Sequence, residues 1–170
     1  FYSGKIKFLV NDLLMHIKPL APVFLPINKY GSQAKESSLQ INNAYESDEQ
    51  MLIFPAGLCS RLQHGKIKDL EWKKTFIAKA VQSQRDIIPI YFEGRNSTFF
   101  YRFAQIRKCI GLKFNIELIY LPDEMFNSKN KTFDIYIGKP IPWQTFDKSK
   151  SLQEWAQIVK EKVYQIKKNQ

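Results

Sequence analysis

Phe54-Pro55-Ala56-Gly57-Leu58-Cys59-Ser60-Arg61 follows the apolar run Met51 to Phe54 and is answered downstream by the triplet Ile88-Pro89-Ile90. A short β-type run that ends in Pro-x-Gly and passes into small polar residues predicts a tight turn at the C-terminal end of a strand. Backbone N–H groups point outward from such a turn, where a phosphate or an oxyanion can dock. Turns of this kind are where α/β proteins place their chemistry.

Working outward, Lys5 to Val10 reads as a buried strand, Asp12 to Ile17 as a short helix and Pro22 to Ile27 as a second strand with proline at its edges. Gly31 breaks the pattern. Ser32 to Gln50 is polar, with Leu39, Ile41 and Tyr45 sparsely spaced, and is expected to be a surface helix with Ser37 or Ser38 near its start. Beyond the turn, Trp72, Phe76, Ile77, Ala80 and Val81 recur at helical spacing behind Asp69 and Glu71, whose charge suits a helix N-terminus. Asp86 to Phe92 is an apolar strand centred on Pro89, which predicts a bulge or an edge. Ser97 to Ile110 reads as a helix, Phe114 to Leu121 and Phe133 to Ile137 as strands, and Leu152 to Ile166 as a closing amphipathic helix. This alternation predicts an α/β fold with a mostly parallel central sheet flanked by helices.

The 170 residues are expected to form a single domain, since a chain of this length buries about two thirds of its unfolded surface. Cys59 and Cys109 make no disulfide framework, so a reducing, intracellular compartment is the default. Lys and Arg outnumber Asp and Glu by 26 to 16, and the formal charge of +10 favours an anionic partner: a lipid surface, an acidic carrier protein or nucleic acid. No apolar run approaches the roughly 18 residues of a transmembrane helix, so any membrane attachment within this sequence is peripheral. The chain opens on Phe1 directly into a patterned segment, which leads us to expect further sequence upstream.

The blocks Phe24-Leu25-Pro26-Ile27-Asn28-Lys29, Phe54 to Arg61 and Ile88-Pro89-Ile90 come in an order that resembles the glycerolipid acyltransferase (PlsC-like) family. In that family a first block, His-x4-Asp, carries the general base: the imidazole takes the proton from an acceptor hydroxyl or amine as it attacks an acyl thioester, and the Asp orients it. The resemblance places that block ahead of Phe1, so residues 1–170 are expected to be N-terminally truncated, with no catalytic residue of their own, and silent by themselves. His64 and Asp69 have the spacing but follow the third block instead of preceding it, and we read them as a decoy. His16 is excluded because Ala21 stands where the carboxylate belongs.

In the second block Asn28 and Lys29 replace the family's Asp and Arg, which leaves a cation for the acceptor's phosphate, although as a point charge and not a bidentate fork. In the third, Phe54, Pro55, Gly57 and Ser60 match, whereas Ala56 replaces Glu and Cys59 replaces Arg; Arg61 falls one position late. The substrate-binding wall implied by the resemblance is therefore Asn28, Lys29, Phe54, Pro55, Ala56, Gly57, Ser60 and Arg61, with Pro89 from the fourth block. The lost Arg and Glu suggest an acceptor less dependent on phosphate than lysophosphatidate, such as an amino acid or a lyso-aminolipid. The string through Ser60, together with Asp69 to Phe76 and Phe92 to Ser97, is similar to a bacterial branch labelled hemolysin-like, some members of which acylate ornithine or glycine lipids. The donor implied is an acyl carrier protein or coenzyme A thioester, with no further cofactor, at the cytoplasmic face of the inner membrane.

Other readings of the same residues are weaker. Cys59 beside Ser60, with His64 nearby, invites a nucleophile, but nothing supplies the third orienting group. Ser97 to Gly111 mixes Phe99, Phe100, Tyr101, Phe103, Ile106 and Ile110 with Arg102, Arg107 and Lys108, a broad apolar face flanked by cations that suits either a helix at a bilayer surface or a core helix. No nucleic-acid-binding signature accompanies these aromatics, and the two His and two Cys are too scattered for a metal site. The rival from another class is a non-catalytic basic module binding anionic membranes or nucleic acid.

Overall fold

The computed structural model describes residues 5–10, 12–27, 32–112 and 114–167. Its first unit is a three-stranded parallel sheet of β1 (Ile6–Val10), β2 (Phe24–Pro26) and β3 (Gln50–Leu52) in the order β2-β1-β3. Phe8 stands opposite Phe24 on one side and Leu52 on the other, and the two phenylalanine rings meet edge to face at 6.0 Å. Pro26 closes β2 on the outer strand of this sheet, where a missing N–H costs no ladder bond. Two 3-10 turns, Asp12–His16 and Lys18–Val23, make the first crossover and α1 (Ser32–Glu46) the second. Ser37, expected near the start of that helix, is instead buried within it.

After β3 the chain makes the predicted bend and then a hairpin that periodicity did not reveal, β4 (Arg61–Gln63) paired antiparallel to β5 (Lys66–Lys68). His64 and Gly65 connect them with φ of 49° and 75°, the two left-handed positions that suit a two-residue hairpin turn. The chain then enters the main core, where α2 (Thr75–Gln82) packs on the C-terminal helix, α5 (Leu152–Ile166). Ile77 and Ala156 are wholly buried there, among Trp72, Phe76, Phe146, Trp155, Val159 and Val163. Trp72 precedes α2 and does not lie in it; its indole N–H donates to Asp69 Oδ2 at 3.1 Å and its ring meets Phe76 edge on. Asp69 thus anchors a tryptophan and does not stand at the helix start. In α5, Ser151 Oγ accepts from the Glu154 N–H while Glu154 Oε2 accepts from the Ser151 N–H, a complete capping box.

The third unit pairs β6 (Ile90–Glu93) antiparallel with β7 (Asp134–Ile137), Tyr91 opposite Tyr136. Ile87 bridges Ile141 before the ladder proper, and Pro89, which has no N–H to give, lies between bridge and strand and accepts from Gly138 N–H through its carbonyl. Between β6 and β7 run α3 (Thr98–Cys109), a 3-10 turn over Ile116–Tyr120 and α4 (Leu121–Phe126).

The fold is therefore mixed α/β, and it departs from expectation in two further places. Parallel pairing is confined to β1, β2 and β3; the other two strand pairs are antiparallel, so the expected mostly parallel central sheet is seen only as this small piece. Residues 114–121, read as a strand, instead form helical turns from Ile116 onward. Among them Glu117 is wholly buried against two arginines, and Pro122 suits the first turn of the helix that follows.

Candidate active-site wall

The bend is a four-residue turn closed by Gly57 N–H donating to the Phe54 carbonyl at 2.9 Å. Gly57 has φ of 69°, a conformation that costs any residue with a Cβ about 1–2 kcal/mol. A Cβ there would also stand 2.9 Å from Lys73 Nζ, so an ammonium lies directly against the turn. Lys73 is brought there by its own N–H, which donates to the Pro55 carbonyl at 3.0 Å. Phe54 is exposed, Pro55 half-buried, and Ala56 faces inward and belongs to the main core with Trp72 and Phe76. Ala56 therefore contributes packing, and a glutamate in its place would bring a charge into that core.

Past Gly57 the chain is held by side chains from α3 and the turn after it. Ser60 Oγ lies 3.2 Å from the Tyr101 hydroxyl, which also accepts from Asn96 N–H at 3.2 Å. The Arg61 guanidinium folds back over its own chain, Nη1 donating to the Cys59 carbonyl at 2.9 Å and to the Ser60 carbonyl at 3.3 Å, while Nη2 donates to Glu117 Oε1 at 2.7 Å. Glu117 Oε2 in turn lies 2.8 Å from Arg107 Nε, and Arg107 Nη1 caps the Leu112 carbonyl. Arg61 also stands 5.8 Å above the Phe100 ring. Its guanidinium is committed to the fold and not held out toward a ligand.

Cys59 is half-buried, and burial pushes its thiol above the ordinary 9.0 against the opposing pull of Arg61. A thiol held protonated is a poor nucleophile. His64 sits exposed at the hairpin tip and Asp69 is engaged by Trp72; among the described residues no hydrogen bond or ion pair joins either histidine to a carboxylate.

Of the residues the sequence singled out, Phe54, Pro55, Gly57, Ser60 and Arg61 come together with Ala56 beneath them. Pro89 does not join them: it lines a separate groove of about 310 Å3 between Gly138, Ile141, Lys162 and Ile166. Asn28 and Lys29 lie outside the described residues. Sequence reasoning missed Lys73, Tyr101 and Glu117. For Glu117 a signal existed, since a lone carboxylate inside the apolar run Phe114 to Leu121 asks for a cationic partner. Among the described residues no group of His, Cys, Asp and Glu is arranged to hold a metal, and no helix is long and apolar enough to cross a membrane.

A strand running into a tight, glycine-dependent turn with an ammonium against it describes an anion-receptive wall in a mixed α/β protein. Compared with known families, the chain belongs to the acyltransferase family, whose model matches residues 2–170. It is 57% identical over 165 residues, 97% of its length, to a lyso-glycine lipid O-acyltransferase of Bacteroides thetaiotaomicron, and 54% identical over the same length to one of Phocaeicola vulgatus. It spans 61% and 59% of those two proteins, about three fifths of each. No solved structure matches it.

Proposed function

We propose that the protein of which these residues form part transfers a fatty acyl group from an acyl thioester, of acyl carrier protein or coenzyme A, to the hydroxyl of a lyso-glycine lipid. The observation that carries this reading is the similarity, over nearly the whole chain, to two proteins bearing that name. The turn's chemistry supports it. An N-acylated glycine presents one carboxylate, a single negative charge for which the point charge of Lys73 against Gly57 is a suitable match. A phosphate monoester is better gripped by a guanidinium fork, and Arg61 spends its fork on Cys59, Ser60 and Glu117. The proton-abstracting His-x4-Asp belongs, in this reading, to sequence ahead of Phe1. The reaction takes place at the cytoplasmic face of the inner membrane, with the basic surface meeting anionic lipid.

The test is acyl transfer by the full-length protein, with lyso-glycine lipid and lysophosphatidate offered as competing acceptors. Preferential turnover of the glycine lipid is expected; efficient turnover of lysophosphatidate defeats the acceptor assignment. Transfer by residues 1–170 alone, abolished by His64→Ala, would show that His64 is the base after all.

A further inference from the structure

Glu117 is fully buried, yet its carboxylate sits between two guanidiniums whose own side chains are 12% exposed. Taking three charges from water is costly, and well-packed apolar side chains of similar volume commonly serve stability as well or better. Packing alone therefore gives little reason for a carboxylate at this position. Geometry gives one. The same guanidinium that Glu117 holds by Nη2 grips two successive carbonyls, those of Cys59 and Ser60, by Nη1. Because each peptide unit is planar and trans, fixing those carbonyls also fixes the Ser60 and Arg61 N–H groups on the opposite side. A second tether, Tyr101 to Ser60, comes from the same α3 segment that presents Arg107.

We propose that Glu117 is a positioning residue for the turn: through Arg61 it sets the orientation of the Cys59 and Ser60 peptides, and so the shape of the acceptor-binding wall. Glu117 touches no substrate. Arg107 supplies a second positive charge on the other side of the carboxylate; its Nε faces Glu117 Oε2 at ion-pair distance without an aligned hydrogen bond, so its contribution is Coulombic. The inference rests on the acceptor wall lying at this turn, as proposed above.

The test uses the full-length protein with every cysteine except Cys59 replaced by serine, Cys109 among them, so that Cys59 becomes the reporter thiol of the turn. In Glu117→Gln, an amide oxygen can still meet Arg61 but the charge is gone. This variant is expected to raise the KM for lyso-glycine lipid about tenfold while the KM for the acyl thioester is unchanged. Alkylation of Cys59 should quicken by more than any fall in the urea midpoint explains, which a residue that only stabilises the fold would not produce. A folded Glu117→Gln protein with wild-type acceptor KM and wild-type Cys59 reactivity overturns the proposal. If that variant does not fold, Glu117→Asp, which keeps the charge but withdraws it by one methylene, is read by the same two measurements and the same criterion. An inactive parent protein would count against the proposed reaction, and the alkylation comparison would still judge Glu117.

Discussion

Gly57 is the residue on which the turn depends most directly, because its left-handed φ and the approach of Lys73 Nζ act together. Gly57→Ala is expected to lower stability by about 1–2 kcal/mol in urea titration, chiefly from backbone strain, since the flexible tip of Lys73 can move aside. An unchanged midpoint would show that the bend tolerates a Cβ. The two cysteines give a second measurement at this scale. Burial holds the Cys59 thiol above 9.0, whereas Cys109 is exposed, so iodoacetamide at neutral pH should label Cys109 first. Cys59 should go on accelerating as pH climbs past 9.0, where an ordinary thiol levels off; equal rates at neutral pH would contradict its buried setting. The linkage has a definite sign: a pKa raised on folding stabilises the native state below the unfolded value, and that contribution is lost as pH rises through the folded one. The turn itself was legible from Phe54, Pro55 and Gly57, because backbone chemistry there is local. Lys73 and Tyr101 were not, since each reaches the turn across sequence separations that no periodicity encodes; for Glu117 the sequence signalled the need for a cation but not that Arg61 at the turn supplies it.

Elements follow the same division between local and distant causes. The bounds of α5 were readable to the residue from its amphipathic pattern, and the capping box of Ser151 and Glu154 is the local cause that fixes its start. Ser151→Ala removes an acceptor for the Glu154 N–H and should cost about 1 kcal/mol, read as a lower urea midpoint. Glu154 also senses pH. Hydrogen bonds from the Ser151 hydroxyl and N–H hold its carboxyl below the ordinary 4.5, so their contribution is present above 4.5 and is lost as pH falls through the folded value. Glu154→Gln should flatten that part of the acid limb, and an unaltered limb would assign the acid sensitivity to other carboxylates. The segment 114–121 failed to read correctly for the opposite reason: its alternation mimics a strand, and only the distant Arg61 and Arg107 explain why Glu117 turns inward on a helical path. The hairpin of β4 and β5 was likewise obscured, because its strands are three residues each and its apolar content is a single Leu62 facing Ile67.

At the scale of the whole molecule, a formal charge of +10 coincides with large apolar side chains left in water between β6 and β7, notably Phe99, Ile106, Ile110, Phe114, Ile119 and Phe126. Charge and apolar exposure make separable contributions to lipid binding, and salt distinguishes them. The electrostatic part acts over a Debye length of about 10 Å at 0.1 M salt and shrinks as salt is added, whereas the apolar part does not. Sedimentation with anionic vesicles should therefore show strong binding at low salt, a steep fall as salt rises, and a residual level that neutral vesicles share. Phe114, 81% exposed, isolates the apolar contribution. Phe114→Ser should leave the urea midpoint within about 0.5 kcal/mol of the parent, as surface substitutions do. It should weaken vesicle partitioning about tenfold, as loss of an inserted aromatic ring requires. If the substitution leaves partitioning untouched while salt still abolishes it, the protein meets lipid by charge alone and the apolar surface around α3 and α4 serves some other contact.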